Sequence, residues 1–181
     1  MALTAVPDKR LADDLKDGIR VFPDFPQPGI LFQDLVPVFE RPALVRRLAE
    51  AFAATCRFDR VLAVEARGFI LGTAVAAAGD RPLALARKKG KLPGPVHRVD
   101  YALEYGTATL ETQRDAFAAG DRVLVVDDVL ATGGTLAAAG ELVAHAGAEV
   151  AGYAVAVTID GLGGPDRLAP ASVFSILTVK D

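Results

Sequence analysis

The stretch Val123-Leu124-Val125-Val126-Asp127-Asp128-Val129-Leu130-Ala131-Thr132-Gly133-Gly134-Thr135 constrains this chain more than any other. Four consecutive apolar residues read as a strand buried on both faces, which belongs in a parallel sheet covered by helices. The pattern predicts that the strand ends at the two carboxylates and that a short loop then opens a helix over Thr135 to Ala146. Ligands of open α/β sheets bind beyond the carboxyl ends of the strands. Gly133 and Gly134 let backbone amides come close to such a ligand, and Thr132 and Thr135 offer hydroxyls. The helix start adds unpaired amides and the positive end of its dipole, so residues 131–135 predict a phosphate cradle. It is not a Walker loop, since no lysine follows the glycines, and Gly-x-Gly-x-x-Gly is absent. Carboxylates repel phosphate but accept hydrogen bonds from sugar hydroxyls. A cradle beside Asp127 and Asp128 therefore describes a ribose 5-phosphate site; a plain helix cap would need neither both acids nor both glycines.

The rest of the chain repeats this rhythm. Asp8 to Arg20 and Ala43 to Thr55 have helical spacing, with Pro42 at a first helical turn. Val61 to Val64, Pro82 to Ala86, Val150 to Thr158 and Ser172 to Leu177 read as further strands, and Phe69 to Ala78 as a small-residue helix. Strands alternating with helices predict an α/β domain with a mainly parallel central sheet flanked by helices. All 181 residues are expected to form one domain. Two segments interrupt the rhythm. Pro23, Pro26 and Pro28 make Phe22 to Pro28 an ordered irregular segment. Between Ala86 and Val123 no crossover helix is visible; Tyr101 to Glu111 alternates like a strand, so residues of about 90–112 are expected to form a hairpin arm standing off the sheet.

Two more strand ends carry anion-compatible groups. Glu65-Ala66-Arg67-Gly68 follows the first strand, and its guanidinium can grip a phosphate through two parallel bonds. Arg87-Lys88-Lys89-Gly90-Lys91 follows the second, with four cations in a chain whose net charge is −3. In a parallel sheet these carboxyl ends share one edge, so the three loops can converge on one polyanion. That negative total argues against a general nucleic-acid binder. The single cysteine, Cys56, excludes an internal disulfide and reads as a small buried thiol. The first sixteen residues lack an apolar export signal, and no apolar run approaches the roughly 20 residues that span a bilayer. A cytoplasmic location, away from membranes, is expected.

The Asp127–Thr135 stretch resembles the phosphoribosyl-pyrophosphate signature of the type I phosphoribosyltransferases. The resemblance runs from about Leu11 to Leu177 and implies that family's fold, with a small N-terminal hood and a flexible arm. It implies that Asp127 and Asp128 hold the ribose hydroxyls and that Ala131, Thr132, Gly133, Gly134 and Thr135 wrap the 5-phosphate. Glu65, Ala66, Arg67, Arg87, Lys88 and Lys91 would bind pyrophosphate. Phe22 to Asp34 is similar to the hood by which members acting on adenine recognise the base, and Leu103-Glu104-Tyr105-Gly106 is similar to their catalytic arm. By the same resemblance Leu31, Gln33 and Val129 contact adenine, Gln33 through its backbone where many relatives carry arginine. Glu104 would move a proton at the purine, Arg67 would assist catalysis, and Tyr105 would act as a lid. The implied activity is transfer of a phosphoribosyl group from phosphoribosyl pyrophosphate to adenine, giving AMP. Mg2+ would be carried mainly by the substrate with no protein metal site, and the protein would be a homodimer. Another purine base is the alternative, and a non-catalytic regulator on the same fold a more distant one. His97 and His145 are weaker candidates, and Asp160 to Pro170 matches the family less closely.

Overall fold

The structure, a computed structural model, describes residues 3–5, 8–102 and 107–180. In chain order the elements are β1 (Leu3–Ala5), α1 (Lys9–Lys16), β2 (Arg20–Pro23), β3 (Leu31–Asp34), α2 (Val36–Phe39), α3 (Pro42–Ala53), β4 (Arg60–Val64), α4 (Gly68–Gly79), β5 (Leu83–Lys88), β6 (Val96–Ala102), β7 (Thr107–Gln113), β8 (Arg122–Leu130), α5 (Gly134–His145), β9 (Glu149–Asp160), α6 (Gly164–Arg167) and β10 (Val173–Lys180). Eight strands form one sheet in the order β1-β10-β9-β8-β4-β5-β7-β6. From β1 to β5 every neighbouring pair is parallel. The expected α/β architecture is what the chain adopts.

Strand alternation divides the core into two layers. Val61, Leu124 and Val126 point to one face, where Leu15 of α1, Leu48 and Phe52 of α3 and Leu71 of α4 cover them. Leu62, Val64, Val123 and Val125 point to the other, against Leu136, Leu142 and Val143 of α5. Each strand is thus apolar on both faces, which is why its run of hydrophobic residues is unbroken.

Four expectations need correction. First, β8 does not stop at Val126. It continues through Asp127 and Asp128 to Leu130, held by pairing with β9 at Asp127↔Val155, Val129↔Val157 and Leu130↔Thr158. Second, the arm does not stand off the sheet at its root. β6 and β7 form an antiparallel hairpin that joins β5 through Arg87↔Glu111 and Lys88↔Leu110. Val99 and Leu110 from this hairpin are buried in the α5 layer. Third, the hood is more regular than its prolines suggest: β2 and β3 make an antiparallel ribbon from Arg20↔Asp34 to Pro23↔Leu31. A salt bridge of 2.6 Å between Arg20 and Asp34 closes its base, and Phe25 meets Phe32 edge-to-face near the turn. Fourth, the first helix ends at Lys16 rather than running to Arg20.

Candidate active site

The site begins with a length mismatch between neighbouring strands. β4 ends at Val64, opposite Val126's neighbour in register, while β8 runs four residues past Val126. Asp127 to Leu130 therefore overhang the sheet edge with one flank free of a strand partner. Asp128 is 4 % exposed and Asp127 half-buried. Withdrawal from water, and then the neighbouring charge of Asp128, push the Asp127 carboxyl well above its ordinary range. Burial also raises Asp128, opposed by the Arg67 guanidinium. Asp127 Oδ1 accepts the Asp128 amide at 2.8 Å. Two crowded carboxylates at a sheet edge are poised to accept donors that bring compensating dipoles or charge.

The next residues form the cradle. Gly133 has φ +79°, a conformation that side-chain-bearing residues rarely adopt, and α5 begins at once behind it. No side chain caps this helix start, so its amides face the loop concavity. Asp127 and residues 129–136 line a cavity of about 110 Å³, the size of a compact tetrahedral anion with its waters.

Behind the cradle stands an element that the sequence reading passed over. The short helix α6 presses Gly164 against the loop. A Cβ built on Gly164 would intrude on the Ala131 carbonyl oxygen and lie 2.7 Å from Leu130 Cδ1. Arg167 Nη1 donates to the Thr132 carbonyl at 3.3 Å. The glycine-rich stretch 160–170 thus backs the loop 131–135. Pro165, just inside the helix after two glycines, was the available signal.

The other two loops arrive on the same edge. The Glu65–Ala66 peptide is cis, and Arg67 follows at the entry of α4. Arg67 Nε lies 2.7 Å from Asp128 Oδ2, and Nη1 donates to the Gln33 carbonyl at 3.2 Å. Its guanidinium also stacks over the Phe32 ring at 5.0 Å. One side chain therefore ties the hood to the acidic overhang. Gly68 permits this closeness, since a Cβ there would fall 2.8 Å from Asp127 Oδ1.

The Glu65 carboxylate is taken up by the basic segment at the end of β5. Its Oε2 accepts the Lys88 amide at 2.9 Å and Arg87 Nε at 3.3 Å. These bonds outweigh the upward push of burial and hold Glu65 below the ordinary glutamate range. Arg87 Nη1 also reaches the Lys91 carbonyl at 3.0 Å, folding the basic loop on itself. Lys88 and Lys91 are exposed. A further organiser was not foreseen: Glu111 of β7, 1 % exposed, accepts Arg98 Nε at 2.6 Å and the Gly90 amide at 2.9 Å. A glutamate in an alternating strand gives no sequence sign that it faces inward.

Of the expected base contacts, Leu31 is exposed on the hood, and Val129 is half-buried on the overhang. Gln33 is buried, its Nε2 donating to the Leu31 carbonyl at 3.3 Å, so only its backbone is directed toward Arg67. Glu104 and Tyr105 lie outside the described residues. His97 sits on β6 opposite Thr112, and His145 closes α5. Among the described residues no three His, Cys, Asp or Glu side chains form a metal-holding group.

An acidic edge, a glycine-rich loop opening a helix and two arginine-bearing loops converge at the carboxyl ends of β4, β5 and β8, chemistry that suits the class of protein that handles a sugar carrying phosphate and pyrophosphate. The phosphoribosyl transferase domain model matches residues 38–180. An adenine phosphoribosyltransferase of Saccharopolyspora erythraea is 52 % identical over 163 residues, covering 88 % of each chain. That of Salinispora arenicola is 45 % identical over 174 residues, covering 94 % of this chain and 93 % of the relative. Among solved structures, the Rhodothermus marinus adenine phosphoribosyltransferase superposes with a TM-score of 0.88 at 44 % identity, over 95 % of this chain and all of that one. The Saccharomyces cerevisiae enzyme, solved with an imino-altritol bisphosphate and adenine, gives a TM-score of 0.88 at 38 % identity, over 94 % of this chain and all of that one. The chain belongs to the phosphoribosyltransferase family, among the adenine phosphoribosyltransferases.

Proposed function

We propose that this protein transfers the 5-phosphoribosyl group of phosphoribosyl pyrophosphate to a ring nitrogen of adenine, releasing pyrophosphate and forming AMP for purine salvage. The observation that carries the reading is the juxtaposition of the 131–135 cradle with the Asp127–Asp128 overhang beneath a hood tied down by Arg67. The amides of Thr132 to Thr135 hold the 5-phosphate, which fixes the sugar at one end. The ribose hydroxyls donate to Asp127 and Asp128, which turns the anomeric carbon toward the hood. Leu31 and Val129 enclose the base, and the Gln33 backbone reads its edge.

Positive charge grows on the ribose as the pyrophosphate departs, and the buried carboxylates beneath the ring stabilise it. Arg67 leaves Asp128 as the ribose hydroxyls arrive and turns its guanidinium to the departing pyrophosphate. Arg87, Lys88 and Lys91, with the Ala66 loop backbone, receive the same charge. Glu65 acts in this scheme by fixing Arg87 and the Lys88 amide. Glu104 handles the purine proton while Tyr105 and the arm, residues of about 90–112, cover the reaction and exclude water.

Magnesium fits this edge as a passenger of the substrate. Asp128 Oδ2 makes no hydrogen bond of good angle despite its burial, leaving a lone pair for a donor or a water of the ion. When bound, the metal offsets the charge of the pyrophosphate oxygens. The homodimer is supported by the apolar groove between α3 and α4, floored by the buried Ala49 and lined by the half-buried Val45 and Ala74 and the 44 % exposed Ile70. No described helix is long and apolar enough to cross a membrane; a cytoplasmic enzyme of one domain, with residues 20–36 as its hood, completes the proposal. Replacing Asp128 by Asn tests it: AMP formation should fall at least a hundredfold while the protein stays folded. Undiminished turnover would remove the carboxylate edge from the mechanism.

A further inference from the structure

A second cationic cavity lies at the opposite edge of the sheet. β4 and β8 are parallel neighbours, so their amino ends share an edge as their carboxyl ends do. Arg57 precedes β4, Arg81 follows α4, and Arg122 opens β8; with Cys56, Phe58 and Asp59 they line a cavity of about 280 Å³. Strand rise alone separates this cavity from the substrate loops by on the order of 15–20 Å. It is therefore a distinct place on the molecule.

Three guanidiniums face one carboxylate there, in a chain whose total charge is −3. The carboxylate is committed, since Asp59 Oδ2 accepts the Arg122 amide at 2.9 Å. Arg81 is held in place: its Nε donates to the Phe58 carbonyl at 3.0 Å, and Nη1 leans on the Asp80 carbonyl at 3.4 Å. Neither Arg57 nor Arg122 has a side-chain hydrogen bond or salt bridge among the described residues. The nearby Arg60 and Asp121 neutralise each other at 3.1 Å and leave the excess intact. Like charges gathered round a concavity repel unless an anion joins them, and a fixed guanidinium fork suits phosphate oxygens. The volume is below that of pockets for drug-sized ligands, which sets the scale of the occupant.

We propose that this cavity binds a pyrophosphate-sized polyanion, free or as the diphosphate end of a nucleotide, at a site separate from the substrate loops. Cys56, the only cysteine of the chain, lines the cavity and reports on it. The test follows alkylation of Cys56 by iodoacetamide with and without inorganic pyrophosphate, in wild type and in the Arg57→Gln/Arg81→Gln double variant. Pyrophosphate should slow the wild-type reaction about fivefold or more and leave the variant's rate unchanged. The variant should keep wild-type kcat and KM, which certifies its fold and its active site. Adenosine diphosphate as a second probe distinguishes a free anion from a nucleotide end by whether it protects at lower concentration. No protection in wild type overturns the proposal. Equal protection in the variant overturns it as well, because the effect would then come from the substrate loops.

Discussion

Gly164→Ala tests the claim that α6 shapes the phosphate cradle from behind. The new methyl would intrude on the Ala131 carbonyl oxygen and lie 2.7 and 2.9 Å from Leu130 Cδ1 and Cγ. Leu130 is 1 % exposed, so it has no open space to retreat into. Either α6 or the loop 131–135 must move by about 1 Å, and overpacking of this kind costs about 1–3 kcal/mol. For a chain of this length that lowers Tm by roughly 2–12 °C. A displacement of 1 Å in a positioning element can cost on the order of a hundredfold in rate. The expected outcome is a 10- to 100-fold loss of kcat/KM for phosphoribosyl pyrophosphate, with KM for adenine little changed. Gly161→Ala is the control. Gly161, unlike Gly164, has a positive φ, +89°, and open space around it, so its variant should lose some stability and no selectivity between substrates. A Gly164→Ala enzyme with wild-type Tm and wild-type kinetics would show that α6 does not shape the cradle.

Other consequences can be checked as directly. Asp127→Asn removes a carboxylate whose pKa burial and Asp128 push up; such a raised carboxylate costs stability as pH rises above its unfolded value of 3.8, so the variant should melt higher than wild type at pH 7 while losing AMP formation. Glu65 has the opposite sign: its lowered pKa stabilises the basic loop above pH 4.5, and that contribution is lost as pH falls through the folded value. Glu65→Gln should therefore flatten the acid limb of a thermal-stability profile and raise KM for phosphoribosyl pyrophosphate severalfold. Glu111→Gln takes the buried charge partner from Arg98 and weakens the acceptor of the Gly90 amide, and should lower Tm by several degrees together with pyrophosphate affinity.

How far the sequence disclosed this arrangement depends on what each residue's neighbours were doing. The cradle was legible because its strand, glycines and helix are contiguous and obey local rules. The extension of β8 through Asp127 and Asp128 was not, because aspartate disfavours strands locally and only pairing with β9 overrides that preference. The hood's prolines hid a ribbon, since Pro23 occupies its edge, where no ladder donor is required. The arm was read as separate because Arg87↔Glu111 pairing joins residues 24 positions apart, which no local pattern announces. Arg67 was identified as a ligand-facing cation, yet its three partners, Asp128, Gln33 and Phe32, come from distant segments. Gly164 was missed for a like reason: its importance lies in what a side chain would strike.

Formation of AMP from adenine and phosphoribosyl pyrophosphate is the activity assigned to this edge. It is tested most directly by product formation with phosphoribosyl pyrophosphate and magnesium, supplying adenine, hypoxanthine, guanine and xanthine in turn. AMP should form rapidly from adenine, with turnover at least a hundredfold slower with each of the other bases. Preference for another base would contradict the reading of the hood, and a folded protein that turns over none of them would contradict the activity itself.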